Sequence, residues 1–214
     1  MPRSICPHCH YPLTTCCCAV LDTIEHQTQI DILQHPTEAT AAKNTAHLCQ
    51  LSLAHCRIWC GEQPEDFATL QQQLANEHKA IALLYPGDSA TPIQEFALQP
   101  SPIRLLLIDA TWGKAYKMLQ LNPWLQQFAQ LKLPQSKGQY HIRKAPKAGQ
   151  LSTLEAIRLA LHQLEPEVNS TPLLRLFEHR KAVFMKYRPA HLQTHKKTAH
   201  NGRLRRGTVK IRTP

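Results

Sequence analysis

The sequence has no long hydrophobic run and no hydrophobic signal region at its start. No apolar stretch approaches the roughly 20 residues that a transmembrane helix needs, and the chain begins Met-Pro-Arg-Ser-Ile-Cys-Pro-His-Cys. Internal repeats are also missing, so a solenoid or propeller is excluded. The 214 residues suffice for one sizeable core with a small appendage. We therefore expect a cytoplasmic protein without a membrane partner.

Acidic residues are missing from the last part of the chain. All fifteen Asp and Glu lie at or before Glu178, so residues 1–179, with fourteen Lys and Arg, have a net charge of −1. The eleven bases that follow face no acid: Arg180, Lys181, Lys186, Arg188, Lys196, Lys197, Arg203, Arg205, Arg206, Lys210 and Arg212. Such a block predicts a polyanionic partner, RNA or DNA before membrane lipid. The alternative is a solvated tail that only aids solubility.

Four of the eight cysteines are clustered near the amino terminus with the spacing C-x2-C-x6-C-x-C. They are Cys6, Cys9, Cys16 and Cys18. Two close pairs joined by a short loop can wrap four thiolates around one tetrahedral Zn²⁺ of structural role. In a reducing compartment this pattern favours a metal over disulfides. The alternative is an incidental cluster near the terminus.

The remaining cysteines and nearby histidines leave part of the ligand set open. Cys17 could replace a neighbouring cysteine, and His8 and His10 are alternative ligands. The other three cysteines have no metal-like spacing, and we predict that they are buried small side chains. They are Cys49, Cys56 and Cys60.

Short apolar runs alternate with helical patterns, which is typical of a mostly parallel α/β sheet. The predicted strands are 29–33, 56–59, 80–84, 103–108 and 139–142. The predicted helices are 37–53, 66–78, 111–121, a restart at 122–123, 152–164 and 172–186. Ser152 and Glu155 form a capping box at the start of the fifth of these.

The predicted strand 103–108 is followed directly by Asp109 and then by Thr111 and Trp112. Four apolar residues before Asp109 indicate a strand buried on both faces, and ligands bind outside the carboxyl ends of such strands. Burial would raise the pKa of Asp109 and make it a better base, although Asp is also a favoured helix N-cap. Trp112 could stack on a base or anchor the core. Thr111 could bind a ligand or cap the helix.

Several motifs, in their order and spacing, resemble the DTW-domain family of tRNA-uridine aminocarboxypropyltransferases. The resemblance runs from residue 6 to about residue 160. The matching pieces are the cysteine cluster, Ile32-Leu33-Gln34-His35-Pro36 with Glu38, Asn44 and Thr45, Leu84-Tyr85-Pro86, Asp109-Ala110-Thr111-Trp112, Arg143-Lys144-Ala145-Pro146, and Leu151-Ser152-Thr153-Leu154-Glu155-Ala156.

The resemblance implies a SPOUT-like fold with a C-terminal trefoil knot. It also implies transfer of the 3-amino-3-carboxypropyl group of S-adenosylmethionine to N3 of a uridine in tRNA, with methylthioadenosine as the leaving product. We divide the chain into a zinc-binding segment (1–20), a catalytic domain (21–190) and a basic tail (191–214). Monomer and homodimer both remain open.

The expected site residues fall into three groups. Asp109 is the candidate base or hydrogen-bond acceptor for uridine N3–H, with Thr111 and Trp112 beside it, while His35 is more typical of a structural histidine next to proline. For the donor pocket the resemblance implies Leu84, Tyr85, Pro86, Gly87, Leu151, Ser152 and Thr153. Expected RNA contacts are Arg143, Lys144, Lys147, Lys196, Lys197, Arg203, Arg205 and Arg206, and the first three could instead hold the donor carboxylate.

Two alternative functions account for parts of the sequence. A SPOUT-type RNA methyltransferase would use the same donor. A zinc-stabilised RNA-binding module without catalysis would explain the cysteines and the tail but leave Asp109 without a role.

Overall fold

The fold is described by a computed structural model that covers residues 4–41, 44–87, 89–98, 102–134 and 151–186. Its strands are β1 (Gln29–Gln34), β2 (Cys56–Cys60), β3 (Ala80–Leu84), β4 (Thr91–Pro92), β5 (Ile103–Asp109) and β6 (Ala129–Lys132). Its α-helices are α1 (Pro36–Ala39), α2 (Ala46–Ser52), α3 (Ala68–Ala75), α4 (Ile93–Phe96), α5 (Trp112–Leu121), α6 (Thr153–Leu164) and α7 (Thr171–Lys186). Short 3₁₀ helices span Leu13–Thr15, Cys18–Val20, Pro64–Phe67 and Pro123–Gln127.

The strands form one six-stranded sheet in the order β2-β1-β5-β3-β6-β4, and every strand pair is parallel. This confirms the predicted parallel α/β architecture. Four predicted strands are present within a residue of their expected ends, and the fifth, 139–142, lies outside the described residues. The SPOUT-like arrangement, the trefoil knot and the division into three segments stay predictions.

Apolar side chains on both faces of the sheet explain why its central strands are buried. Along β1, Ile30 and Ile32 point to the face covered by α2, α6 and α7, whereas Leu33 points to the face covered by α3 and α5. In β5, Leu105 and Leu106 alternate in the same way. Since consecutive residues of a strand face opposite sides, an unbroken apolar run is what a sheet covered twice requires.

The helix predicted over residues 37–53 is wrong, because the chain forms two helices there. His35 caps α1, with its Nδ1 accepting a hydrogen bond from Thr37 N at 3.2 Å. Asn44 Oδ1 accepts a hydrogen bond from His47 N at 3.1 Å, the geometry of a side chain capping the next helix. His35 therefore begins α1, which ends at Ala39, and Asn44 helps to begin the separate helix α2.

A buried ion pair crosses between the two central strands on the α3 and α5 face. Asp31 of β1 is fully buried and accepts hydrogen bonds from Arg104 Nε and Trp59 Nε1, each at 2.7 Å. Arg104 also contacts Glu77 Oε2 at 3.2 Å. Each charged group thus has a partner, which is what burial of ions demands.

The cysteine loop, residues 6–18, packs against α7. Arg180 Nη1 donates to Thr15 O at 2.8 Å, and the guanidinium lies 3.6 Å from the centre of the Tyr11 ring. Cys6, Cys9 and Cys17 are buried in the same core as α6 and α7. Among the described helices, none has the length and apolar character needed to cross a membrane.

Candidate active site

The carboxyl ends of β1 and β5 form the centre of the candidate site. Gln34 and Asp109, the last residues of these adjacent strands, are register partners. The chain leaving β1 goes to β2 on one side, while the chain leaving β5 goes to β6 on the other. Connections that diverge in this way open a crevice between the two strands, where open α/β sheets bind ligands.

Asp109 is held at this crevice by two uncharged donors. Gln34 Nε2 donates to Oδ2 at 2.7 Å, and Thr153 Oγ1 donates to Oδ1. The residue is half-buried, which corrects the expectation of a buried carboxylate, and it does not act as the N-cap of α5. Among the described residues no cation pairs with it. Because each carboxylate oxygen has about two lone-pair sites, Asp109 can still accept a substrate proton.

A chain of hydrogen bonds continues from Asp109 to the cysteine loop. Gln34 Nε2 also donates to Asn44 Oδ1 at 3.2 Å, and His47, whose backbone N donates to that same oxygen, contacts Cys9 O through Nε2 at 2.9 Å. The sequence assigns no role in the site to these three side chains, although Gln34 and Asn44 belong to the matching pieces of the family pattern. The available signal was Gln34 itself, a polar residue that continues the apolar face of Ile30 and Ile32.

Thr111 and Trp112 are both exposed beside Asp109. Thr111 occupies the N-cap of α5, yet its side chain makes no capping hydrogen bond. Trp112 is 53% exposed, so the alternative of a core anchor is wrong. Tyr116, one helical turn later and missed by sequence reasoning, is 59% exposed. Two exposed rings at i and i+4 lie on one helix face and are suited to stacking on bases.

The residues expected to hold the donor lie at two places around the sheet edge. Leu84 ends β3 opposite Leu107 of β5, and Tyr85 N donates to Leu131 O at 3.0 Å, which fixes the start of the turn through Pro86 and Gly87. Burial and the nearby Tyr116 hydroxyl raise the pKa of Tyr85. Turns of this kind present backbone groups that can bind an adenine edge.

The second donor segment, residues 151–153, reaches Asp109 directly through Thr153. Ser152 and Glu155 form the predicted capping box: Glu155 N donates to Ser152 Oγ at 3.3 Å and Ser152 N donates to Glu155 Oε2 at 2.8 Å. Leu151 is exposed. The capping box therefore accounts for Ser152, and Thr153 is the member of this segment that contacts the site.

His35 has a structural role, as its position before proline predicts. Besides capping α1, its Nε2 lies 3.5 Å from Glu62 Oε1. Lys117 Nζ lies 3.0 Å from that oxygen, and its hydrogen bond lowers the pKa of Glu62. Lys114 Nζ contacts Thr37 Oγ1 at 2.5 Å. The carboxyl edge thus presents two lysines next to the aromatic rings of α5, the half-buried Lys114 and the exposed Lys117.

Four sulfur atoms of the cysteine loop come together as the spacing predicts. The Sγ atoms of Cys6, Cys9, Cys16 and Cys18 all lie within 4.8 Å of one another. The distances Cys6–Cys18 and Cys9–Cys16 are both 3.6 Å. Within the described part of the chain, this group has no histidine member and excludes Cys17. The four cysteines could therefore bind a metal.

The surroundings of the cluster lower the pKa of two of its four thiols, Cys9 and Cys6. Burial alone would raise the pKa of Cys9, but backbone hydrogen bonds from Cys17 and Tyr11 outweigh it and lower that pKa to about 6. Backbone hydrogen bonds from Cys9 and His8 likewise lower the pKa of Cys6. A side-chain hydrogen bond with Cys16 raises the pKa of Cys18 to about 12, and burial raises the pKa of Cys17 to about 12. Cys17 therefore differs from the cluster in its position outside the four-sulfur group and not in its pKa.

The other three cysteines are only partly as predicted. Cys49 and Cys56 are buried, and burial raises the pKa of both thiols. Cys60 is exposed, so its predicted burial is wrong. It is the last residue of β2, which lies at the edge of the sheet and has only one buried residue, Cys56.

The basic residues expected to contact RNA lie outside the described residues. They are Arg143, Lys144, Lys147, Lys196, Lys197, Arg203, Arg205 and Arg206. Their role stays a prediction from the sequence.

The geometry so far defines a parallel α/β protein with a polar crevice at its sheet edge and a four-cysteine cluster. The chain matches the DTW domain over residues 3–184 and therefore belongs to the DTW-domain family. It is 34% identical to tRNA-uridine aminocarboxypropyltransferase 2 of Drosophila melanogaster over 179 residues, covering 79% of this chain and 70% of that protein.

Two other relatives carry similar names. Identity is 31% over 170 residues with tRNA-uridine aminocarboxypropyltransferase 2 of Mus musculus (76% of this chain, 57% of the mouse protein). It is 28% over 195 residues with tRNA-uridine aminocarboxypropyltransferase A of Arabidopsis thaliana (77% and 74%). The chain thus spans only a little over half of the mouse relative. No solved structure matches it.

Proposed function

We propose that this protein transfers the 3-amino-3-carboxypropyl group of S-adenosylmethionine to N3 of a tRNA uridine. The observation that carries the proposal is Asp109, a carboxylate without a described cationic partner at the β1/β5 crevice, in contact with Thr153 of the expected donor segment. The names of the relatives, which are tRNA-uridine aminocarboxypropyltransferases, support the same reaction.

The reaction forms one bond and breaks one. Uridine N3 attacks the Cγ carbon of the aminocarboxypropyl group, the Cγ–S bond breaks, and its electron pair stays on the sulfur of methylthioadenosine. N3 carries a proton at neutral pH, so that proton must leave. Asp109 accepts it, because this carboxylate has free lone pairs at the edge of the site.

Positioning decides which carbon of the sulfonium reacts, since reacting atoms must approach to about 3–3.5 Å. The donor pocket in this proposal consists of residues 84–87 and 151–153, with the methyl group turned away from the crevice. A SPOUT-like trefoil knot would bring these two segments around one ligand. Thr111 binds a polar group of a substrate, and Trp112 stacks on a base.

Zinc is the metal that the cysteine cluster fits best. A tetrahedron with Zn–S bonds of about 2.3 Å has sulfur–sulfur edges of about 3.8 Å, and two of the observed separations are 3.6 Å. Four thiolate ligands leave no open position, so the ion would have a structural role. Cys6, Cys9, Cys16 and Cys18 would hold it, and the proposed division into segment 1–20, domain 21–190 and tail 191–214 gives it the first segment.

The proposed partner is tRNA, bound in the cytoplasm. Lys114 and Lys117 add positive charge beside the crevice, and the basic residues predicted from the sequence would contact phosphates. Phosphate contacts of this kind weaken steeply as salt is raised.

The deciding experiment is mass spectrometry of nucleosides from tRNA incubated with the full chain and labelled S-adenosylmethionine. We expect label in 3-(3-amino-3-carboxypropyl)uridine and release of methylthioadenosine. A methylated nucleoside would instead identify an RNA methyltransferase. Binding of tRNA without any labelled product would indicate a non-catalytic RNA-binding module.

A further inference from the structure

A polar cavity of about 460 Å³ lies between the cysteine loop and the carboxyl end of β1. Its size is that of a small-molecule site. The polar groups that line it are the side chains of His10, Tyr11, Gln34, Asn44, His47 and Gln50. Among its described lining residues there is no Lys, Arg, Asp or Glu. The cavity therefore suits a neutral polar ring better than a charged ligand.

The Gln34 side chain supplies the most specific group in this cavity. It is only 2% exposed, and its Nε2 donates one hydrogen to Asp109 and the other to Asn44. Among the described residues no group donates to its Oε1. Because both hydrogens of the amide are used, this oxygen is the group through which Gln34 can bind a ligand, as an acceptor.

We propose that this cavity receives the uracil ring of the acceptor uridine, and that Gln34 Oε1 accepts the N3–H of that ring. The inference rests on the proposed function and adds the place where the base binds. Uracil is a neutral ring whose N3–H needs an acceptor, whereas the aminocarboxypropyl group carries a carboxylate that would need a cation. The lining favours the former.

The position of Asp109 supports the same assignment. One carboxylate oxygen contacts Thr153, in the expected donor segment, and the other contacts Gln34, in the wall of the cavity. A uracil held by the Gln34 amide therefore has its N3 next to Asp109, which is bonded to the same amide. The N3–H is shared between Gln34 Oε1 and the carboxylate in the bound complex, and the carboxylate takes the proton as N3 bonds to the donor carbon. Such an arrangement brings nucleophile, base and donor together.

Filling the cavity tests whether the base enters it. Ala41 lines the cavity and is half-buried, so Ala41→Trp places an indole in it. We expect kcat/KM for tRNA to fall about a hundredfold, with the dissociation constant of S-adenosylmethionine, measured by calorimetry, within about twofold of wild type. The matched control is Ala54→Trp, at an exposed position before β2, which should leave both quantities unchanged.

A second variant tests the hydrogen bond itself. The probes are two tRNAs that differ only in uridine or cytidine at the modified position, because cytidine N3 has no hydrogen to donate. We expect wild-type protein to bind the uridine form about tenfold more tightly, and Gln34→Met to bind the two forms equally. A merely structural role for Gln34 would weaken both complexes and preserve their ratio, which would overturn the inference.

The proposed function and this inference fail in different ways. If wild-type protein forms no aminocarboxypropyl product, the function is wrong. If it forms the product and Ala41→Trp keeps kcat/KM for tRNA within about twofold of wild type, the cavity does not hold the base. Loss of S-adenosylmethionine affinity in Ala41→Trp would also overturn the inference, since the cavity would then belong to the donor.

Discussion

Two aspartates on neighbouring strands are held in opposite ways. Asp31 in β1 is fully buried and bonded to the guanidinium of Arg104 and the indole of Trp59. Asp109 at the end of β5 is half-buried and bonded to an amide and a hydroxyl. Each carboxylate accepts two hydrogen bonds, but among the described residues only Asp31 is paired with a cationic side chain.

The difference separates a structural carboxylate from one available for chemistry. Full burial and the hydrogen bonds from Arg104 and Trp59 hold Asp31 in one geometry, so it can stabilise the sheet but cannot reach a substrate. The neutral donors on Asp109 fix its orientation without supplying a compensating charge.

Replacing Asp109 should abolish most of the transfer activity and leave the stability of the fold nearly unchanged. We expect Asp109→Asn to lower the rate of product formation about 10²- to 10⁴-fold, because the amide cannot accept the N3 proton. Radiolabel transfer to tRNA measures the rate, and thermal unfolding checks the fold. Asp22→Asn, at an exposed pair with Arg175, is the matched control and should retain full activity. Undiminished transfer by Asp109→Asn would remove this carboxylate from the mechanism.

Replacing Asp31 should instead lower the stability of the fold. Asp31→Asn leaves Arg104 buried without its main partner, and we expect a loss of about 3–5 kcal/mol in the free energy of unfolding. Urea denaturation measures it. The double variant Asp31→Leu with Arg104→Met removes both charges and should recover much of that loss. If Asp31→Asn is as stable as wild type, the ion pair between Asp31 and Arg104 does not stabilise the fold.

Replacing Trp112 should lower the affinity for tRNA by an intermediate amount. Its exposed ring can stack on a base, so Trp112→Ala should weaken tRNA binding by about 1–3 kcal/mol, or roughly 5- to 150-fold. Filter binding at fixed salt measures this loss. The control is Leu98→Ala, which removes another exposed apolar side chain on a different element. Equal losses in both variants would show that the indole is not a specific contact.

The smallest effect is a pH dependence at a site remote from the crevice. Burial lowers the pKa of His26, whose Nε2 accepts a hydrogen bond from His55 N at 3.3 Å. As the pH falls below about 6.5, His26 is therefore protonated in the unfolded chain before it is protonated in the folded protein. Between that pH and the lower pKa of the folded protein, the free energy of unfolding decreases by at most about 1.4 kcal/mol per pH unit. Urea titrations between pH 5 and 8 measure the slope, which should be smaller in His26→Gln. An identical slope in both proteins would contradict the assignment.

Sequence reasoning found the central strands but missed the sheet's polar edge. The apolar runs at β1, β3 and β5 are visible because strands covered on both faces have no polar alternation. β6, with the sequence Ala-Gln-Leu-Lys, has one buried residue among four, and β4 has only two residues. Such short strands carry no periodic signal and are set by pairing with their neighbours.

The candidate site shows the same limit. Asp109 could be predicted because a carboxylate ends a buried strand, and the cysteine cluster because its spacing is local. The link from Gln34 to Asn44 and His47 depends on a loop returning to the strand end, which periodicity does not encode. Likewise, the new start at α2 within a stretch of helical composition involves one side-chain contact, the hydrogen bond from His47 N to Asn44 Oδ1.

The contact between Arg180 and the cysteine loop determines how the basic tail can be dissected. Arg180 is the first base of the acid-free block, yet its guanidinium lies over Tyr11 and bonds to Thr15 O. A truncation before this residue would strip cover from the four thiols as well as removing positive charge. Deleting residues 195–214 spares that contact, so a loss of tRNA affinity after such a cut reports on phosphate binding alone.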